Sequence, residues 1–198
     1  MRLNSGWDMP VVGLGTYAPQ NPKNLKEVLR EAIRVGYRHI DTSYSYHNEK
    51  IIGEVIKESI ADGVCTRDEL FITTKIWHSQ KGDVSGSIVN ALNDLDLDYI
   101  DLYLINYMRP DWDWDRNETK SPATHEVWAD MESAVRQGMI RSIGVSNCPV
   151  SILWDMLCYA EIKPACHQME LHPYFQQRKV VEWHKKNDIG CIAYTPLG

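Results

Sequence analysis

The chain has 198 residues and a formal net charge of −6, with 43% hydrophobic and 24% charged residues. That length is enough for one domain with a substantial core, and the acidic balance argues against nucleic acid or an acidic membrane face as a main partner. No apolar run approaches the ~18 residues that a membrane span needs, and no apolar segment follows Arg2 as it would in a signal peptide.

The five cysteines are scattered along the chain without a C-x-x-C pair. An odd and dispersed set favours reduced thiols in the cytoplasm over disulfides. The histidines also lack partners at metal-ligand spacing, so we expect no metal site.

Strand-like apolar segments alternate with helical patterns along the chain. The strand-like segments begin near Val11, Tyr37, Leu70, Tyr99, Met139, Pro164 and Gly190. Apolar residues with helical spacing cover 25–33, 52–60, 84–95, 127–135 and 152–157. The polar, tryptophan-bearing segment 109–119 breaks this alternation and predicts a long loop. Ser121-Pro122 predicts the N-cap and first residue of the helix that follows.

Strict alternation of strands and helices implies a parallel sheet covered by helices, either an open doubly wound sheet or a closed barrel. Polar residues stand at the C-terminal ends of six strand-like segments: Asp41, Lys75, Asn106, Asn147, Gln168 and Tyr194. Convergence of many strand ends favours the barrel, because its strand ends ring one mouth, whereas an open sheet places its site at one switch point. We predict one α/β domain over 1–198, a (β/α)8 TIM barrel with about seven βα units present.

Tyr46 stands among residues that suit proton transfer. A tyrosine phenol titrates near ~10 and is a poor acid at neutral pH. A nearby lysine that is itself held by a carboxylate lowers that pKa and makes the phenol a useful proton donor. Asp41 and Lys75 end consecutive strand-like segments, so in a barrel they share a mouth with Tyr46. We therefore predict that these three side chains form a catalytic set.

Seven short blocks follow one another along nearly the whole chain. They are GLGTY at 13–17, GYRHID at 36–41 with YHNE at 46–49, TKIW at 74–77, DLYLI at 101–105, IGVSN at 143–147, QMELHPY at 168–174 and AYTPLG at 193–198. As an ordered set they resemble the aldo-keto reductase superfamily, and the later blocks are most similar to its aldose-reductase branch. The resemblance implies a barrel that binds NADPH/NADP+ without a Rossmann fingerprint, and the chain has no G-x-G-x-x-G segment.

The resemblance also implies a catalytic tetrad of Asp, Tyr, Lys and His. Asp41, Tyr46 and Lys75 match its first three positions, but Asn106 stands where the family usually has histidine. An asparagine amide can donate a hydrogen bond but cannot titrate. Losing one oriented donor of this kind can cost ~10²–10³ in rate, so we expect weakened carbonyl positioning without loss of the acid. The potassium-channel β-subunit branch of the family is similar to this chain in carrying asparagine there.

Further positions match the family's cofactor-binding and substrate-binding residues. The resemblance assigns cofactor binding to Gly15, Thr16, Asp41, Ser146, Asn147, Gln168, Tyr194, Pro196 and Leu197. Within this set Ser146, Asn147 and Gln168 would hydrogen-bond the nicotinamide carboxamide, and Tyr194 would stack on the nicotinamide ring.

Aromatic residues complete the expected pocket for a small-molecule carbonyl substrate. Tyr17, Trp77 and Tyr107 would form its walls. Trp112 and Trp114 either line a substrate loop or belong to a solvated loop.

Three functions fit the sequence. The first is NADPH-dependent reduction of an aldehyde or ketone, with Tyr46 as general acid and a rate weakened by Asn106. The second is an NADP(H)-binding regulatory protein with little turnover. The family's final βα unit and C-terminal loop have no counterpart in 1–198, so a truncated, inactive remnant is the third. The missing final unit would also be explained if the sequence is part of a longer chain, or if a domain-swapped oligomer completes the barrel.

Overall fold

The computed structural model describes residues 1–17, 24–109 and 121–198, together with the backbone of 112–113 and 118–119. Seven strands of this part form one parallel sheet: β1 (Leu14–Gly15), β2 (His39–Asp41), β3 (Phe71–Ile76), β4 (Ile100–Ile105), β5 (Ile140–Ser146), β6 (Cys166–Glu170) and β7 (Gly190–Tyr194). Each strand pairs with the next in chain order. The helices between them are α1 (Leu25–Arg34), α2 (Glu49–Ala61), α3 (Val84–Leu95), α4 (Thr124–Arg136), α5 (Val150–Tyr159) and α6 (Arg178–Lys186).

The sheet curls into a nearly closed barrel with the helices outside, which confirms the predicted (β/α)8 fold. Successive residues of a strand point to opposite faces. Leu102 and Leu104 of β4 therefore belong to a small cluster inside the barrel, whereas Tyr103 and Ile105 pack in the larger cluster under the helices. Among the described residues, β1 and β7 are the edge strands of the sheet.

Most strands begin within two residues of the predicted positions. The largest difference is at β1, which begins at Leu14 because Val11 and Val12 lie exposed on the surface, ahead of the sheet. The predicted start of α4 was wrong: its N-cap is Ala123, whose backbone N–H is bound by the carboxylate of Glu126 at 2.8 Å.

Two further elements differ from the sequence prediction. Helix α6 has no counterpart among the predicted helical patterns: its apolar residues are Val180, Val181 and Trp183, all half-buried, and His184 is its one fully buried residue. The segment predicted as a long loop contains a short antiparallel pair, Trp112–Asp113 with Glu118–Thr119. The side chain of Trp112 and the whole of Trp114 lie outside the described residues. None of the described helices is long and apolar enough to cross a membrane.

Candidate active site

The predicted ion pair forms at the mouth of the barrel. Lys75, from β3, places its Nζ 2.5 Å from Oδ1 of Asp41 at the end of β2. The same ammonium donates to the backbone carbonyl of Thr42 at 2.6 Å. The Lys75 side chain is 1% exposed and the Asp41 side chain 15%, so these two partners replace the water that burial takes from the lysine.

Tyr46 lies beside this pair, at the end of a short 3-10 turn that runs over Tyr44–Tyr46. The Nζ of Lys75 is 5.1 Å from the centroid of its ring. Burial raises the pKa of the Tyr46 phenol above its ordinary value, and the Asp41 carboxylate adds to the rise. Lys75 does not lower the pKa of Tyr46 as the sequence predicts. Within the described residues, the hydrogen bonds of its ammonium go to Asp41 and Thr42 instead.

Asn106 follows β4 and is buried next to the same turn. Its Nδ2 donates a hydrogen bond of 2.9 Å to Oγ of Ser43. Its backbone N–H donates to Ile76, the last residue of β3. One amide hydrogen of Asn106 is thus engaged by a neighbour, so the side chain is held in place but has less donor capacity for a substrate oxygen.

Asn147 connects the ends of β4, β5, β6 and β7. Its backbone N–H donates to the carbonyl of Gln168 at 3.0 Å, and its Nδ2 donates to the Asn106 carbonyl and to Oγ of Ser146, each at 3.1 Å. Its Oδ1 accepts a hydrogen bond of 2.8 Å from the Tyr194 hydroxyl. Four residues predicted at the cofactor site therefore form one connected group, with Asn147 at its centre.

The remaining predicted cofactor residues lie in two different settings. Gly15 is exposed and a Cβ there would meet open space, and Pro196 and Leu197 are also exposed at the rim. Thr16 is 3% exposed, and both its backbone N–H and its hydroxyl donate to the Asp41 carbonyl at 3.0 Å. Thr16 therefore holds the backbone around Asp41 and does not offer its side chain to the mouth.

The three aromatic residues predicted to wall a substrate pocket each have an aromatic neighbour. The Tyr17 ring lies 5.0 Å from the ring of Tyr46, centroid to centroid, and the Trp77 and Tyr107 rings meet edge-to-face at 5.6 Å. Tyr17 is 66% exposed and Tyr107 39%, so both have apolar surface free at the entrance.

Comparison with known proteins shows which family the chain belongs to. The sequence model of the Aldo/keto reductase family matches residues 11–198. The chain belongs to the aldo/keto reductase family. It is 40% identical over 209 residues to an NADP-dependent D-sorbitol-6-phosphate dehydrogenase of Malus domestica, covering 99% of this chain and 67% of that protein. It is 39% identical over 213 residues to aldose reductase C of Dictyostelium discoideum, covering 100% and 66%.

Solved structures give the same result for the fold. An aldo-keto reductase of Bombyx mori in complex with NADP superposes with a TM-score of 0.92 at 35% identity, covering 100% of this chain and 66% of that one. This aldo/keto reductase chain thus spans about two thirds of the length of the relatives it matches.

The structure adds residues that the sequence analysis missed. Asn48 is buried, accepts a hydrogen bond of 2.6 Å from Thr42 and donates to Thr16, so it ties the Tyr46 turn to β1. Its position before α2 predicts an ordinary N-cap, but its side chain does not cap that helix. Glu49, the first residue of α2, accepts a hydrogen bond of 2.7 Å from the Thr74 hydroxyl, and burial raises its pKa to about 7.

Proposed function

We propose that this aldo/keto reductase reduces the carbonyl group of a small aldehyde or ketone to an alcohol, with NADPH as reductant. One observation carries the proposal: the buried Lys75 ammonium, paired with Asp41 at 2.5 Å, lies beside the ring of Tyr46. A lysine that is shielded from water stabilises a nearby negative charge better than an exposed one does. The charge that needs it is the phenolate left when Tyr46 gives up its proton.

Tyr46 is the general acid in this proposal. The phenol is protonated at neutral pH, as an unshifted one would be, but its raised pKa makes it a weaker acid, so proton transfer to a bound carbonyl oxygen depends on stabilisation of the phenolate. Lys75 stabilises the resulting phenolate, while Asp41 and the carbonyl of Thr42 hold the Lys75 ammonium in position. The nicotinamide cofactor, when bound, supplies the hydride.

The ends of β5, β6 and β7 suit the nicotinamide end of NADPH. The side-chain oxygens of Asn147 and Gln168 can accept from a carboxamide N–H, whereas the Asn147 amide hydrogens are engaged by Asn106 and Ser146. The partly buried Tyr194 has a ring face for stacking. Ser146 is 1% exposed and its hydroxyl accepts from Asn147, so it would act by holding Asn147. The NADP complex of the Bombyx mori relative supports NADP(H) as the cofactor.

The names of the two relatives guide the choice of substrate. One is a D-sorbitol-6-phosphate dehydrogenase and the other an aldose reductase, and both names point to the open-chain form of a sugar. We therefore propose an aldose, tested beside a reactive aromatic aldehyde. The exposed rings of Tyr17 and Tyr107 would contact its carbon chain.

The test compares two tyrosines of the same turn. Tyr46→Phe removes the proposed acid, and Tyr44→Phe is the matched control, since Tyr44 is 40% exposed and lies two residues earlier. NADPH oxidation is followed at saturating aldehyde, with NADPH binding measured separately. We expect Tyr46→Phe to lower kcat by ~10²–10⁴ while NADPH still binds, and Tyr44→Phe to stay within about twofold. If Tyr46→Phe keeps its activity, the acid is wrongly assigned.

A second candidate function is NADP(H) binding with little turnover, as in a regulatory protein. It is favoured by Asn106, whose amide is already engaged by Ser43. This candidate predicts tight NADPH binding with negligible turnover across a panel of carbonyl compounds, and family-typical turnover would exclude it. An inactive remnant predicts no NADPH binding at all.

A further inference from the structure

Two histidines that take no part in the site described above stack on each other behind it. His167 belongs to β6 and is 2% exposed, and His184 belongs to α6 and is 0% exposed. Their rings stack with centroids 4.9 Å apart, and Nδ1 of His167 lies 2.8 Å from Nε2 of His184. Among the described residues, no hydrogen bond or ion pair joins either ring to an Asp, Glu, Lys or Arg side chain.

The partners at the two ends of this pair determine where its protons are. Nδ1 of His184 lies 2.7 Å from the carbonyl of Val180, which can only accept, so this nitrogen carries the hydrogen. At the other end, the backbone N–H of Cys148 donates to Nε2 of His167 at 3.1 Å, so that nitrogen must be bare. His167 therefore carries its hydrogen on Nδ1 and donates it to Nε2 of His184. Both rings are neutral, and burial lowers both pKa values, that of His167 to about 3.

The Cys148 amide is part of the turn that holds the centre of the cofactor site. It directly follows Asn147, whose φ of 51° lies in the left-handed region, which asparagine adopts more readily than most other non-glycine residues. Hydrogen bonds from the neighbouring strand also hold this turn. Two consecutive N–H groups of this turn are held by two consecutive residues of β6: Asn147 by the carbonyl of Gln168 and Cys148 by the ring of His167.

We propose that His167 and His184 are positioning residues, which together hold the Asn147 turn in the conformation that binds the nicotinamide end of NADPH. His167 supplies the acceptor for the turn, and His184 keeps that acceptor bare by taking the hydrogen on the opposite nitrogen. With the other tautomer, His167 would point an N–H at the N–H of Cys148 and the turn would lose its anchor. That the ligand is NADPH rests on the proposed function. The anchoring of the Asn147 turn by the two histidines does not depend on that function.

The test asks whether the acceptor itself matters. His167→Phe keeps a ring but removes the acceptor, whereas His167→Gln keeps an acceptor oxygen near the position of Nε2. His184→Phe leaves His167 in place but takes away the partner that selects its tautomer. Ile88→Ala, in the buried face of α3, is a control for general loss of stability. The probes are NADPH binding by fluorescence titration and hydrogen exchange of the Cys148 amide without nucleotide.

We expect His167→Phe to weaken NADPH binding by roughly tenfold, which corresponds to about 1.4 kcal/mol, and to lose protection of the Cys148 amide. His167→Gln should restore binding to within about threefold of the unchanged protein, and His184→Phe should fall between the two variants. Ile88→Ala should bind NADPH within about twofold, although it is less stable. If His167→Phe does not fold, His184→Phe takes its place in the comparison.

Three results would overturn the inference. They are unchanged NADPH affinity with a protected Cys148 amide in the Phe variants, a glutamine variant as weak as His167→Phe, and an equal loss of affinity in Ile88→Ala. If the unchanged protein itself binds no NADPH, the proposed function fails, and the exchange of the Cys148 amide decides about the anchor alone. If the Cys148 amide loses its protection in His167→Phe and keeps it in His167→Gln, His167 anchors the turn. If the amide is equally protected in both variants, His167 does not.

Discussion

The side-chain amide of Gln168 donates a hydrogen bond of 2.7 Å to Oδ2 of Asp41, and so links β6 to β2 across the barrel mouth. Asp41 therefore has a partner on each oxygen, because Lys75 binds Oδ1. A residue predicted to bind the cofactor and a residue predicted to serve catalysis belong to one hydrogen-bonded group. A change at Asp41 is expected to affect both.

The first prediction concerns the energetics of the Asp41–Lys75 pair. Asp41→Asn leaves a buried ammonium without its carboxylate, so we expect a loss of roughly 3–5 kcal/mol in the free energy of unfolding. Lys75→Met added to Asp41→Asn should recover part of that stability, since no unpaired charge is then buried, but it should not recover activity. Urea unfolding measures the stability of each variant, and the rate of aldehyde reduction measures its activity.

The control for this pair is an exposed one. Lys57 and Asp96 form an ion pair whose side chains are 74% and 60% exposed, and Lys57→Met should change the stability by less than about 0.5 kcal/mol. A double variant of Asp41 and Lys75 that is as unstable as the sum of its two single variants would contradict the assignment of a buried, coupled pair.

The second prediction concerns Asn106. Asn106→His restores an oriented donor at the barrel mouth, so we expect kcat for an aldehyde to rise by roughly tenfold or more. Ser43→Ala is the companion variant, because it releases the Asn106 amide from its hydrogen bond and should give a smaller rise. If neither change raises the rate, Asn106 does not limit catalysis and the regulatory function gains support.

The fold could be predicted from the sequence because its strongest signals are local. Strand β4 is buried on both faces and appears as an apolar run that only Asp101 interrupts, as parallel sheets under helices require. Helix α6 was missed because its inward face has only three apolar residues, Val180, Val181 and Trp183, all half-buried, with His184 beside them, and so short a set gives a weak apolar pattern.

The candidate site could be predicted as a set of residues but not as a set of bonds. The ends of consecutive parallel strands share one edge, and this placed Asp41, Lys75 and Asn147 at the same mouth. The bond between Gln168 and Asp41 joins residues 127 positions apart, and no local spacing encodes it. The raised pKa of Tyr46 depends on burial, which arises only when the whole barrel packs around the turn.

The third prediction concerns the pH dependence of stability at Glu49. Burial raises the pKa of this carboxyl from 4.5 to about 7 in the folded chain, so folding favours its protonated form. Its effect on stability is absent below pH ~4.5, where both states are protonated, and becomes an increasing cost between about 4.5 and 7. Glu49→Gln should therefore stabilise the protein at pH 8 and have little effect at pH 4.

Thermal unfolding at the two pH values measures this difference. Glu27→Gln is the matched control, because Glu27 stands in the first turn of α1 but is exposed. It should give the same small change at both pH values. A Glu49→Gln variant that is less stable at pH 8 than at pH 4, relative to the unchanged protein, would show that the ionised carboxylate is favoured in the fold.

The fourth prediction concerns the contact between α2 and α3 at Gly53. A Cβ at this position would lie 2.5 Å from the Leu95 carbonyl oxygen and 2.9 Å from that of Asp94, both backbone atoms at the end of α3. Alanine is the better helix former by ~1 kcal/mol, but forcing the two helices apart costs typically ~1–3 kcal/mol. The close contact should outweigh the helix preference, so Gly53→Ala is expected to lower the free energy of unfolding by up to about 2 kcal/mol.

Gly82→Ala tests whether that loss comes from the contact itself. Gly82 lies in the 3-10 turn His78–Asp83, and a Cβ there would meet nothing within 4 Å. It should leave the urea midpoint nearly unchanged, within about 0.5 kcal/mol in free energy. A Gly53→Ala variant as stable as the unchanged protein would mean that α2 can move away from α3 without loss. Because Glu49 and the Tyr46 turn lie at the start of α2, that result would also mean that the site tolerates movement of the helix that follows it.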